Sequence, residues 1–145
     1  MRLTLYTDYA IRVLIYLAAR EDELCSIRSI SSAFSVSQNH LMKVVQDLAA
    51  AGFVKSVRGR MGGIRLAMPA EDINLGRLLR HTEGLDDLLA CSICIVKQAC
   101  GMPTVLSEAT AAFVSVFDKY TVADLVHRKV ELNLILRPHE RRTAG

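Results

Sequence analysis

Three of the four cysteines of this chain fall within ten residues, in Cys91-Ser-Ile-Cys94-Ile-Val-Lys-Gln-Ala-Cys100. Thiolates this close together hold soft metal centres, and the third cysteine is an odd thiol that a simple Cys-x-x-Cys redox pair does not need. A structural zinc site takes four Cys or His ligands, yet no His lies between Ala90 and Val126, so a zinc knuckle cannot be completed locally. An iron–sulfur cluster is the reading that the residue types favour, with any fourth ligand drawn from elsewhere. Zinc, thiol redox chemistry, and three buried cysteines acting as small apolar side chains stand as the alternatives.

A chain of 145 residues, 51% of them apolar, can build one core with a small oligomerisation appendage. It has no apolar run long enough to span a membrane, and the Met1 end lacks the apolar stretch of a signal peptide, so the expectation is a cytoplasmic protein with no membrane partner. There thiols stay reduced, which favours metal or redox use of the cysteines over disulfides. The net charge of +3 is unevenly placed: residues 1–80 hold eleven Lys/Arg against seven Asp/Glu, for +4, and residues 81–145 hold seven against eight, for −1. The basic half is the one suited to an anionic partner.

The elements that must position these residues follow from periodicity. Thr7 reads as a cap for a first helix with Asp8 in its first turn and Ile11, Leu14, Ile15 and Ala18 on one face. A two-turn helix through Ile27, Ile30 and Phe34 follows, then a helix capped by Ser37 whose inner face is Leu41, Val44, Val45 and Leu48 and which stops at Gly52. Two short helices joined by a turn make a helix-turn-helix. Residues 53–57 and 64–68 read as strands around a basic, glycine-rich tip, Arg58-Gly-Arg60-Met-Gly-Gly63, which makes the hairpin a wing. A short fourth helix uses Ile73, Leu75, Leu78 and Leu79. Pro103 opens a long helix, apolar at Val105, Leu106, Ala109, Ala112, Phe113, Val116 and Phe117, which reads as a dimer seam. Thr121-Val-Ala-Asp124 starts a last helix with a capping box, and the tail from Arg137 reads as frayed. The expected fold is therefore mainly α: a winged helix-turn-helix domain over residues 1–81, a cysteine-bearing loop over 82–102, and a dimerisation helix with a C-terminal helix over 103–145.

Opposite the inner face of the third helix lie Gln38, Asn39, Met42, Lys43 and Gln46. A recognition helix enters the major groove with its N-terminal residues on base edges, where Asn and Gln pair bidentately with adenine. Ser37 and His40 belong to the same end, and Arg58, Arg60 and Arg65 of the wing suit phosphates or a narrow minor groove. The bland alternatives are a solvated helix face, and glycines at 59, 62 and 63 that serve positive φ in a hairpin tip. Cys25 reads as a bystander, and His81, His127 and His139 carry no assigned role. No catalytic constellation or phosphate-binding loop is present, since Gly59, Gly62 and Gly63 lack a strand-to-helix context.

The run Leu3-Thr4 to Thr7-Asp8-Tyr9-Ala10-Ile11-Arg12, the segment Val36-Ser37-Gln38-Asn39-His40-Leu41 and the wing Val57-Arg58-Gly59-Arg60-Met61-Gly62-Gly63-Ile64-Arg65-Leu66 resemble the Rrf2 family of bacterial transcription regulators. The cysteine group and Tyr120-Thr-Val-Ala-Asp-Leu-Val126 extend the resemblance over nearly the whole chain. The Ser37 to His40 segment and the stretch from Asp118 to Val126 resemble the family's nitric-oxide-sensing repressors most. The resemblance implies a homodimer on a palindromic operator in double-stranded DNA, released when nitric oxide damages an iron–sulfur cluster, 4Fe-4S rather than 2Fe-2S, held by Cys91, Cys94 and Cys100. It also implies Asp8 of the partner subunit as fourth ligand, whereas on the residues alone Asp8 is explained by the helix dipole. One departure is the two-residue gap between Cys91 and Cys94, where the family commonly has a wider one. Gly101-Met-Pro103 stands where relatives sensing cluster supply often carry a His. An iron-responsive or cluster-status regulator, and a zinc-stabilised DNA-binding protein, are the alternatives.

Overall fold

The computed structural model describes residues 2–85 and 88–141. The first helix, α1 (Leu5–Ala18), starts earlier than Thr7 because Thr4 is its cap: the Thr4 hydroxyl accepts the Thr7 backbone N–H at 3.2 Å. Thr7 is fully buried instead, inside the helix. Helix α2 (Ile27–Phe34) is capped by Ser26 and ends at Ser35, whose φ of 53° turns the chain into α3 (Gln38–Ala50), capped by Ser37. Gly52, at φ 82°, takes the left-handed position that releases the chain from α3.

Strands β1 (Val54–Val57) and β2 (Gly63–Leu66) pair antiparallel, with Val54 opposite Leu66 and Lys55 opposite Arg65. Of the three tip glycines only Gly59 has positive φ. Gly62 and Gly63 are needed for close approach: a Cβ at Gly62 would lie 2.1 Å from the Val57 carbonyl, and one at Gly63 2.8 Å from that of Cys25. Cys25 is itself structural, its buried side chain in the core and its backbone bridged to Ile64.

A 3-10 turn (Ala70–Asp72) leads to α4 (Leu75–Thr82), capped by Asn74, and a second 3-10 turn (Cys91–Ile93) opens the cysteine loop. Helix α5 (Met102–Phe117) follows, with Pro103 in its first turn. The capping box at Thr121 and Asp124 is present, but it starts only the single turn α6 (Val122–Leu125); a separate helix, α7 (Lys129–Arg141), carries the chain on. The tail expected to fray from Arg137 therefore continues in α7 as far as Arg141, and residues 142–145 lie outside the described residues.

One core joins α1 to α4 and the hairpin: Val13, Leu14, Leu17, Ile30, Leu41, Leu48, Phe53 and Leu78 are all buried, and Val122, Val126 and Leu136 return from the C-terminal third to join them. Each such side chain contributes about 1.5–3 kcal/mol by leaving water. Helix α5 is different. Only Val114 of its sixteen residues is buried, and Met102, Val105 and Val116 are bare. Among the described residues no helix is long and apolar enough to cross a membrane.

Candidate nucleic-acid interface and cysteine centre

The core-facing residues of α3 fix what its other side can do. With Leu41, Val44, Val45 and Leu48 buried, helical spacing leaves Ser37, Gln38, Asn39, His40, Met42, Lys43 and Gln46 exposed. Among the described residues no side-chain hydrogen bond or ion pair occupies Gln38, Asn39, Lys43 or Gln46. His40 is placed more firmly: its ring stacks on Tyr9 with centroids 6.3 Å apart, while its backbone N–H donates to the capping Ser37 Oγ at 3.4 Å. The wing presents Arg58 and Arg60 from its exposed tip. Arg65 is set apart from them, in the middle of β2 and directly opposite Lys55. Two like charges facing each other across a ladder oppose hairpin pairing. Glu21 and Glu71 line the same shallow hollow as this pair, and Glu21 is itself paired with Lys129 at 2.8 Å. Reading the sequence missed Lys55, which only the hairpin register reveals.

The cysteine loop connects α4 to α5. Cys91 is half-buried, Cys94 and Cys100 are exposed, and neither these three nor Cys25 is in a disulfide. Cys94 N–H donates to the Cys91 carbonyl at 3.3 Å, closing the 3-10 turn between them. Helix α5 has no side-chain cap; the Met102 N–H donates to Cys100 Sγ at 3.4 Å, so the sulfur stands where the helix amides favour negative charge. Cys91 borders a cavity of about 560 Å³ between α4, the loop and α5, whose wall includes Arg80, Glu83, Pro103 and Ser107. Within the single chain, and among the described residues, Cys91, Cys94, Cys100 and Asp8 do not form a metal-holding group. The donor set still fits a thiolate-bound cluster: three thiols not committed to disulfides, two of them exposed and one at the start of α5.

Asp8 is engaged in its own chain. Arg12 grips it with two nitrogens, Nε to Oδ1 at 2.9 Å and Nη2 to Oδ2 at 2.9 Å, and lies over the Phe34 ring with its guanidinium carbon 5.7 Å from the centroid. The side chains are 37% and 40% exposed. Such a pair holds Asp8 in place by about 0–1 kcal/mol.

Glu83 ties the loop to the start of α1. Its Oε1 accepts Thr4 N–H at 2.8 Å, the Thr4 hydroxyl at 2.9 Å and the Thr7 hydroxyl at 2.5 Å, which satisfies the buried Thr7. Partial burial alone would raise its pKa, but the hydrogen bonds from Thr7 and Thr4 together hold it below the usual carboxylate range. Helix α4 links the ends of two other helices: Arg77 donates to the Ala51 carbonyl beyond α3 at 3.1 Å, and Arg80 reaches Asp118 just past α5.

The sequence pattern of the Rrf2 family, described as an iron-dependent transcriptional regulator, matches residues 3–128. The chain belongs to the Rrf2 family. It is 46% identical to the HTH-type transcriptional regulator NsrR of Bacillus subtilis (strain 168), over 97% of this chain and 100% of that one, and 42% identical to NsrR of Bacillus licheniformis, over 94% and 99%. Among solved structures it resembles T. potens IscR, with TM-score 0.72 and 27% identity over 87% of this chain and 86% of that one. Staphylococcus aureus CymR gives TM-score 0.70 and 28% identity, over 86% and 97%. The winged helix-turn-helix of this Rrf2 chain is therefore that of a DNA-binding transcriptional regulator and not of an enzyme.

Proposed function

We propose that this Rrf2-family repressor senses nitric oxide through an iron–sulfur cluster, 4Fe-4S rather than 2Fe-2S. Cys91, Cys94 and Cys100 hold the cluster, and Asp8 of the partner subunit completes the set. A homodimer formed along α5 binds a palindromic operator in the cytoplasm. Residues 1–81 read DNA, residues 82–102 carry the cluster, and residues 103–145 build the dimer and return to the reading head. Ser37, Gln38, Asn39, His40 and Lys43 serve the major groove, and Arg58, Arg60 and Arg65 the backbone or minor groove. The observation that carries this reading is the placing of three thiols outside any disulfide between α4, which braces the recognition helix, and α5, which leaves Met102, Val105 and Val116 exposed.

The bound cluster would supply iron that nitric oxide attacks. The chain's part is to make that event felt at the DNA. The Asp8–Arg12 pair is weak enough to exchange for a ligand bond, and Ala109, Ala111 and Ala112 are exposed on α5, small enough to let a second α5 approach. An iron-responsive regulator with the same ligands is the second reading, favoured by the family's description as iron-dependent.

The test is to prepare Cys91→Ser, Cys94→Ser, Cys100→Ser and Cys25→Ser anaerobically and measure iron, sulfide and visible absorption. The first three should lose the coloured centre and Cys25→Ser should keep it. Full loading of Cys94→Ser, or zinc in place of iron in the wild type, would sink the proposal.

A further inference from the structure

The rear of the recognition helix is held by a contact that reading DNA does not itself require. Asp47 lies on the third turn of α3, and its Oδ2 is shared by two helices: Tyr6 of α1 donates its hydroxyl to this oxygen, and His81 Nε2 of α4 lies 2.6 Å from it. Burial first, then the bond to Asp47, keeps the Tyr6 hydroxyl protonated; that bond and His81 hold the Asp47 carboxyl below its usual range despite partial burial. The His81 ring packs on Phe53, with centroids 5.9 Å apart. Arg77, one turn earlier on α4, covers the same ring at 4.7 Å and holds the Ala51 carbonyl. The last turns of α3 are therefore clamped on α4 at two points, and Arg80, beside His81 on α4, pairs with Asp118.

We propose that Asp47 is a positioning residue for DNA recognition: through His81 and Tyr6 it sets the tilt of α3, so that a shift of α4 with the cysteine loop reaches the groove-facing residues. The proposal rests on the reading that α3 enters the major groove and on a sensing centre in the cysteine loop, and it names the side chains through which the two communicate. Asn39 lies eight residues from Asp47, about 12 Å along the helix axis. A tilt of about 5° pivoting at Asp47 moves Asn39 by about 1 Å, enough to break a hydrogen bond to a base edge.

The experiment uses full-length dimer and a duplex selected from a random pool by the cluster-loaded wild type. Affinity is measured anaerobically for loaded and metal-free forms, with the thermal midpoint alongside. Asp47→Ala and His81→Leu should each shrink the loaded-to-apo affinity ratio by about 3- to 10-fold. The double variant should do no more than either, and His81→Gln, which keeps a side-chain N–H donor, should restore most of the ratio. A merely structural role lowers the midpoint and both affinities together and leaves the ratio unchanged. Retention of the wild-type ratio by Asp47→Ala overturns the proposal, as does a His81→Gln no better than His81→Leu. A wild type whose affinity does not depend on loading overturns the cluster-gated reading as well.

Discussion

Arg80 on α4 meets Asp118 beyond the end of α5 with both terminal nitrogens, Nη1 to Oδ1 at 2.6 Å and Nη2 to Oδ2 at 2.7 Å. The carboxylate comes this close because Gly76 has no side chain: a Cβ there would stand 1.9 Å from Asp118 Oδ1 and 3.0 Å from its backbone N. Gly76→Ala should thus pry α4 from α5 and cost about 1–3 kcal/mol, as overpacking does. Urea unfolding checks this; a variant as stable as the wild type would mean that the contact is slack.

On the proposed reading of α3, base contacts and phosphate contacts have separable effects. Asn39→Ala should relax base preference at one operator position and cost about 1–3 kcal/mol there. Lys43→Ala should weaken every sequence alike and reduce the salt slope by about 1. Titrations of operator variants at several salt concentrations distinguish the two, and uniform weakening by Asn39→Ala would remove it from the base-reading set.

Glu83 links pH to the anchoring of the cysteine loop. Its carboxyl is held below the ordinary range in the fold, so the stability it contributes is present above the unfolded value of about 4.3 and is lost as pH falls through the lower folded value. Glu83→Gln should therefore be less stable than the wild type by about 1 kcal/mol near pH 7, a figure that allows for its partial exposure, with the gap closing below about pH 4. Thermal melts across that range test this. A gap independent of pH would show that the carboxylate charge is not what Thr4 and Thr7 use.

Local chemistry made much of the reading head legible. Ser37 and Gly52 bracket α3 as their residue types require, and the wing follows from its glycines and arginines. Thr4 was missed as the cap because Thr7, three residues on, satisfies the same pattern. The apolar period alone could not show that Thr7 is buried against Glu83. Gly62 and Gly63 do not serve the expected positive φ; backbone crowding from β1 and from Cys25 is what requires them. His81 carries no local sequence signal, since its partner Asp47 lies 34 residues away on another helix, a contact only tertiary packing creates. The Asp8–Arg12 pair, by contrast, is an i, i+4 spacing readable in the chain. The proposed ligation by Asp8 of a partner subunit has no local sequence pattern, because its geometry would belong to two chains.

On the function proposed above, the state of the cysteine centre gates DNA binding. Its most direct test is to titrate the selected duplex anaerobically with cluster-loaded protein before and after stoichiometric nitric oxide, following anisotropy. Affinity should fall about tenfold or more after exposure, within the usual range of coupling between sites. Equal affinity before and after, with the visible spectrum bleached, would contradict the account.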